Sequence, residues 1–188
     1  AVWPYLYWAE DGYLMLDYTT STEGTFWTKY DKPDPAFTLP WRNGQCNTAD
    51  NPHTEAFTRD ILIDPPVVSA GEPVTLTATL RNFSLLSNTK SFDVTFYLGD
   101  PDSGGTQIGT PKTIGAYALG PRAVKTLTAN WTATGSGDQR IYAVIDPTNQ
   151  LAEVHDETDP IVNNNKGYGL VHMGALDFVD MGEASDKI

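Results

Sequence analysis

The chain has 188 residues, of which 40% are hydrophobic and 19% charged, and its formal net charge at pH 7 is −12. This length predicts one domain that buries roughly 70% of its unfolded surface, with or without an extension. Because the surface is acidic and Lys and Arg are scattered, nucleic acid is disfavoured as a partner; membrane insertion is disfavoured because the apolar runs are far shorter than ~18 residues.

Residues 1–57 are rich in aromatic side chains: eleven of the 21 Trp, Tyr and Phe residues lie in the first 41 positions. VWPYLYW and YLMLDYTT flank AEDG, whose Asp-Gly step is typical of a β-hairpin turn. GTFWTKY favours a third strand, whereas the prolines of DKPDPAFTLPW disfavour a helix or a central strand. NGQCNTADNPH then has the composition of an irregular linker. We predict either a small β extension or the tail of an upstream domain.

The aromatic block is also a candidate carbohydrate-binding surface, because Trp and Tyr rings can stack on sugar rings and carboxylates can bind sugar hydroxyls. The candidate stacking residues are Trp3, Trp8, Trp27 and Trp41. The structural alternative, which we favour, is that alternating aromatic residues pack against the following domain or against a neighbouring one.

Short segments with a period of two dominate residues 58–174. PVTLTATLRN, FDVTFYLG and VKTLTANWT alternate apolar and polar residues, as half-buried strands do. RIYAVID is apolar on both faces, which favours a central strand, and GYGLVHMG is predicted as the last strand. Connectors such as GDPDSGG and TGSGD are typical of turns. The pattern predicts an all-β, antiparallel sandwich, in which we expect Phe96 and Trp131 to be buried on facing sheets. Residues 175–188 have the composition of a polar C-terminal tail.

A run of carboxylate and amide side chains follows the RIYAVID strand. Calcium takes six to eight oxygen ligands, and the candidate ligands here are Asp146, Asn149, Glu153, Glu157 and Asn164. The spacing is not that of an EF-hand. The alternative, which we take as primary, is a structural connection: Asp146-Pro147 starts a turn, Asn149 adopts left-handed backbone and the carboxylates are solvated. No cofactor is then required, and calcium is the alternative.

A second, weaker calcium candidate is DPDSGG, with Asp100 and Asp102, where a turn is the favoured interpretation.

The sequence offers little support for catalysis. A glycoside hydrolase needs two carboxyl groups on either side of a substrate cleft. Asp146 and Glu153 are a possible pair, but outside residues 1–57 the chain is too short to build a cleft beside the sandwich. The serines lack a G-x-S-x-G motif, and His155 alone makes a poor zinc site. Cys46, the only cysteine, excludes an internal disulfide and has no recognisable catalytic partner.

The segments SAGEPVTLTATLRN, FDVTFYLGDPDSGG, NWTATGSGDQRIYAVIDPTNQLAEVHDE and NNNKG together resemble the CARDB family, the cell-adhesion-related domain found in bacteria. The resemblance covers roughly residues 58–174. It implies an Ig-like, fibronectin-III-like sandwich of about seven strands. Two departures stand out: Asn82-Phe83-Ser84 replaces the family's Asn-x-Gly, and TDPIV separates Glu157 from the asparagines.

The resemblance implies a function as well as a fold. CARDB domains are accessory units of secreted and cell-surface prokaryotic proteins, so we expect a non-catalytic, extracellular module for adhesion, spacing or protein contact. The expected partners are proteins or glycans at the cell surface, or other domains of the same chain. A carbohydrate-binding module is the alternative, and a hydrolase fragment is least favoured.

Overall fold

The computed structural model describes residues 5–8, 14–17, 32–38, 56–153 and 164–174. Within these ranges the secondary structure is β-strand and turn, with a single 3-10 turn at Pro101–Ser103 and no α-helix. The strands are β1 (Tyr5–Trp8), β2 (Leu14–Asp17), β3 (Pro35–Ala36), β4 (Ala56–Phe57), β5 (Ile61–Asp64), β6 (Val67–Val68), β7 (Pro73–Asn82), β8 (Phe92–Leu98), β9 (Thr106–Ile114), β10 (Val124–Thr132), β11 (Gly137–Ile145) and β12 (Lys166–Met173).

Two sheets pack face to face and confirm the predicted antiparallel β-sandwich. The smaller sheet has the order β10-β7-β3, with β5 also paired to β7. The larger has the order β4-β12-β11-β8-β9, with β6 also paired to β12. Seven of the described sandwich strands have four residues or more, which agrees with the expected number. The short strands β4 and β6 run parallel to β12.

The apolar positions of the alternating pattern predicted from the sequence are the positions that are buried in the core. In β7 the apolar positions Val74, Leu76, Ala78 and Leu80 are buried at 2% exposure or less. β11 lies between β8 and β12, and its last five residues are buried whichever face they point to. The core joins these strands through apolar side chains of both sheets.

One predicted core residue needs correction. Phe96 is buried at 1% exposure, as expected, but Trp131 is only partly buried against the core. The reason is its position in β10, which lies at the edge of the smaller sheet and pairs with β7 alone within the described residues. An edge strand has no neighbour on its outer side to cover a large ring.

Glycine at position 169 allows the edges of the two sheets to approach closely. A Cβ at Gly169 would lie 2.8 Å from the carbonyl oxygen of Ile61 and 3.1 Å from Cδ1 of Ile63. Those distances are shorter than ordinary carbon contacts, so a side chain here would push β5 away from β12. Gly169 therefore keeps the sandwich closed along this edge.

The predicted N-terminal hairpin is present. β1 and β2 pair antiparallel with Tyr5 opposite Asp17 and Trp8 opposite Leu14; the Asp-Gly step that joins them lies outside the described residues. The proline-rich segment supplies β3, two residues at an edge, where Pro35 lies opposite Asn82 at the end of β7. The GTFWTKY strand, the NGQCNTADNPH linker and the 175–188 tail lie outside the described residues.

Candidate functional site

Asp146 closes a tight turn at the end of β11. Its side chain has 0% exposure, and its φ of 47° places it in the left-handed region, as does the φ of 49° at Asn149. Oδ2 of Asp146 accepts a hydrogen bond from the backbone N–H of Leu151 at 2.6 Å. The backbone N–H of Asn149 donates to the Asp146 carbonyl at 2.8 Å. These are the bonds of a side-chain-capped turn, as the primary interpretation of the sequence expected, although the Asp146 carboxylate is buried rather than solvated.

Glu153 and Asn165 form the centre of the site. Nδ2 of Asn165 donates to Oε1 of Glu153 at 2.7 Å, and the two residues have exposures of 0% and 2% respectively. The Asn165 carbonyl accepts from the backbone N–H of Ile145 at 2.8 Å. Asn165 therefore links Ile145, at the end of β11, and Glu153, in the connection that follows β11, to the start of β12.

Asn164 fixes the segment of residues 32–38 to the same end of the sandwich. Its Nδ2 donates to Oδ1 of Asp34 at 3.3 Å, and its carbonyl accepts from the backbone N–H of Phe37 at 2.9 Å. The backbone N–H of Asp34 in turn donates to Oδ1 of Asn82 at 3.1 Å. All three polar side chains are buried, so this end of the sandwich is closed by hydrogen bonds.

Lys166 anchors the loop that contains the 3-10 turn. Its Nζ lies 2.7 Å from Oδ2 of Asp102 and 3.3 Å from Oδ1 of Asp100. The backbone N–H of Asp102 also donates to Oδ1 of Asp100, at 3.1 Å. Burial raises the pKa of Asp100, but the Asp102 N–H and the Lys166 ammonium outweigh it, so the net pKa is lowered. The DPDSGG segment is therefore a turn held by an ion pair, as favoured from its sequence.

The predicted calcium ligands meet in part. The backbone N–H of Ile145 donates to the Asn165 carbonyl at 2.8 Å, so Asp146 and Asn164, which adjoin these two residues in the chain, lie at the same end of the sandwich. Oδ1 of Asp146 and Oδ1 of Asn164 are buried and have no hydrogen-bond partner among the residues that the structure describes. Asn149 is exposed in the turn, and Glu157 lies outside the described residues. Among the described residues, no three His, Cys, Asp or Glu side chains are grouped to hold a metal ion.

The sequence interpretation missed Asp34, Asn165 and Lys166. Asn165 and Lys166 stand in the quoted NNNK motif, next to Asn164, and the start of a strand after a long polar connection was a usable signal for them. Asp34 gave no such signal, because its partner Asn164 is 130 positions away along the chain. The pairing of Lys166 with Asp100 was likewise not predictable, because these two residues are 66 positions apart.

The candidate sugar-stacking residues are not placed by the structure. Trp3, Trp27 and Trp41 lie outside the described residues, and of Trp8 only the backbone within β1 is described. Glycan stacking by these residues stays a prediction. His53, His155 and Cys46 also lie outside, while His172 of β12 has Nδ1 2.7 Å from Oδ1 of Asp138.

The sequence profile of the CARDB family matches residues 58–165, more than half of the chain. The chain belongs to the CARDB family. The resemblance read from the motifs is thereby confirmed. A comparison with curated proteins gave no significant match.

A solved CARDB structure has the same fold. A CARDB domain from Pyrococcus furiosus, crystallised in complex with di-metal ions, is 24% identical with a TM-score of 0.50, and the match covers 77% of this chain and 91% of that one. A protein from Geobacter metallireducens, solved in solution, is 26% identical with a TM-score of 0.42, covering 62% and 93%.

A β-glucosidase from Listeria innocua matches at 13% identity and a TM-score of 0.38, over 61% of this chain but only 16% of its own. In the described part of the CARDB chain, no helix has both the length and the apolar character needed to cross a membrane.

Proposed function

We propose that this CARDB domain is a non-catalytic, extracellular Ig-like module that spaces and joins parts of a secreted or cell-surface bacterial protein. The observation that carries the proposal is the path of the chain. β4, which begins at residue 56, lies beside Gly167 and Tyr168 at the start of β12. The chain leaves the sandwich at the other end of the same strand, after Met173. Because a strand rises ~3.3 Å per residue, the two flanks of the module are about 20 Å apart along its axis.

The state of the acidic residues supports a non-catalytic role. Glycoside hydrolysis requires two carboxyl groups that reach a substrate across a cleft. Asp146 and Glu153, the candidate pair, have exposures of 0% and 2%. Oδ2 of Asp146 is bonded to the Leu151 N–H and Oε1 of Glu153 to Asn165. Carboxylates held in this way stabilise a fold and are not presented to a substrate.

A contact role with proteins is supported by the outer face of the larger sheet near its β12 edge. Phe57 and Leu170 are exposed at 44% and 53%. The ring of Tyr168 packs on Phe57 with centroids 6.2 Å apart, and the Arg140 guanidinium lies 4.5 Å from the Tyr168 centroid. Aromatic residues and Arg are enriched in protein interfaces, so a protein or a neighbouring domain of the same chain is the favoured partner.

Calcium at the end of β11 is an alternative that two orphaned oxygens support. Within the described part of the chain, Oδ1 of Asp146 and Oδ1 of Asn164 are buried without hydrogen-bond partners, and both are of the oxygen class that calcium prefers. The described residues supply fewer than the six to eight oxygens of a calcium site. Of the other candidate ligands, Asn149 is exposed in the turn and Glu157 lies outside the described residues, so the capped turn stays the primary proposal.

Glycan binding by the N-terminal aromatic block is the other alternative, supported by the density of aromatic residues there. A glycan array probed with the full chain tests it. Binding that is lost in Trp3→Ala or Trp27→Ala would establish a carbohydrate-binding function, and the spacing proposal expects no binding.

The extracellular part of the proposal is tested by protease treatment of intact bacteria that express the epitope-tagged chain within its parent protein. We expect the tag to be cleaved from intact cells or recovered from the medium. A tag that becomes cleavable only after lysis would contradict an extracellular module.

A further inference from the structure

The direction of the first and last strands of the sandwich determines how it responds to tension. β4 and β6, at the start of the sandwich, run parallel to β12, at its end. On the N-terminal side, residues 32–38 are also held to the sandwich, by the pairing of β3 with β7. Once that segment has detached, a pulling force acts at the first residue of β4 and at the last residue of β12. Because the strands are parallel, the force drags them in opposite directions along their common axis.

We propose that β4, β6 and β12 form a shear clamp that lets the module resist tension between its flanks. The proposal rests on the spacing function, since tension reaches the clamp only if both flanks are anchored.

The hydrogen bonds of the clamp lie across the direction of the force. The backbone N–H of Thr58 donates to the Tyr168 carbonyl at 3.0 Å, that of His172 to the Pro66 carbonyl at 2.9 Å, and that of Gly174 to the Val68 carbonyl at 2.9 Å. Bonds between parallel strands are slanted but evenly spaced along the pair, so sliding one strand past the other strains all of them at once. Peeling the same strands apart from one end would break them one after another.

The start of β12 is anchored against the same sliding motion. Lys166 Nζ lies 2.7 Å from Oδ2 of Asp102, and Asn165 is bonded to Glu153. β12 also pairs with β11 over eight positions, from Lys166 to Met173. A pull on the end of β12 is therefore opposed along the whole strand.

Single-molecule stretching in two geometries tests the clamp. In the first, handles are attached at the two ends of the full chain. In the second, one handle is attached at an introduced thiol, Ala70→Cys in a Cys46→Ser background, and the other at the C-terminus. Ala70 is exposed and follows Val68, which pairs with Met173, so the second geometry peels β6 from β12.

We expect the main unfolding event to need several-fold more force when the chain is pulled from its ends, at the same loading rate. In that geometry the segment of residues 32–38, with β3 paired to β7 and Phe37 buried, bears the load first, and its detachment is scored as a separate event. Equal thermal midpoints of parent and thiol variant establish that the handle site leaves the fold intact.

Equal forces in the two geometries, or a weaker response from the ends, would overturn the clamp. If the module still unfolds cooperatively in both, the spacing function survives that result. The absence of any cooperative unfolding event would contradict both proposals.

Discussion

Asn165 donates a hydrogen bond to Glu153 at 2.7 Å where both side chains are buried, joining the connection after β11 to the start of β12. We predict that Asn165→Ala lowers the free energy of unfolding by about 1–3 kcal/mol, because a buried carboxylate loses a donor. Urea denaturation measures this change. Gln150→Ala, at an exposed position of the same connection, is the matched control and should change stability by less than about 0.5 kcal/mol. Equal losses in the two variants would show that Asn165 is not a structural tie.

The two large aromatic residues of the facing sheets should differ in their contribution to stability. Phe96→Ala is expected to cost about 3–5 kcal/mol, the range for a fully buried aromatic side chain. Trp131→Ala should cost less, because its ring is only partly buried on the edge strand β10. Urea denaturation of both variants gives the comparison. A larger loss for Trp131 would mean that the edge of the smaller sheet is covered.

The Asp100–Lys166 pair should make stability depend on acidic pH. The pKa of Asp100 is lowered in the folded protein, so its contribution is fully present above the unfolded Asp value of about 3.9 and is lost as pH falls through the lower, folded value. Urea midpoints measured at descending pH below about 5 should fall, and Asp100→Asn should flatten part of that fall. An identical pH dependence in parent and variant would contradict the ion pair.

Thermal melts in EDTA and in millimolar calcium separate the capped turn from the calcium site. The capped-turn account expects the same midpoint in both. A bound ion would add about 2.7 kcal/mol at a hundredfold excess over Kd, and the gain should vanish in Asp146→Asn with Glu153→Gln. Such a calcium-dependent, variant-sensitive rise would replace the capped-turn account with the metal site. A rise that survives the double substitution would place the ion elsewhere, with Asp100 and Asp102 as the first candidates.

The strands were predictable because the alternation that defines them is local. β7 and β11 could be predicted directly, because a strand buried on one face alternates apolar and polar residues and a strand buried on both faces is a continuous apolar run. The partial burial of Trp131 could not, because it depends on which strand lies at the edge of a sheet. Strand order is a property of long-range pairing.

Of the candidate site, only the residues in the connection after β11 could be predicted from the sequence. Asp146 follows a buried strand and its turn-capping role was expected, but Asp34 and Asn82 reach the same end of the sandwich from distant segments. Asn82 donates to the carbonyls of Leu86 and Gly120 at 2.7 and 2.9 Å. Ser84, which stands where the family has glycine, is buried and bonded to the Lys32 carbonyl at 2.7 Å. The departure from the motif thus contributes a contact that the motif alone could not predict.

Replacement of the module tests the central claim most directly. In the parent protein, residues 56–174 are exchanged for an unrelated Ig-like domain whose ends are also about 20 Å apart, the span expected from the rise of β12. The quantity measured is the attachment of the bacteria to their surface or partner, with deletion of the same residues as the control. The spacing account predicts that deletion reduces attachment and that the unrelated domain restores it. Attachment that the unrelated domain fails to restore, although it is displayed at the same level, would contradict spacing and assign the function to a specific surface of this domain.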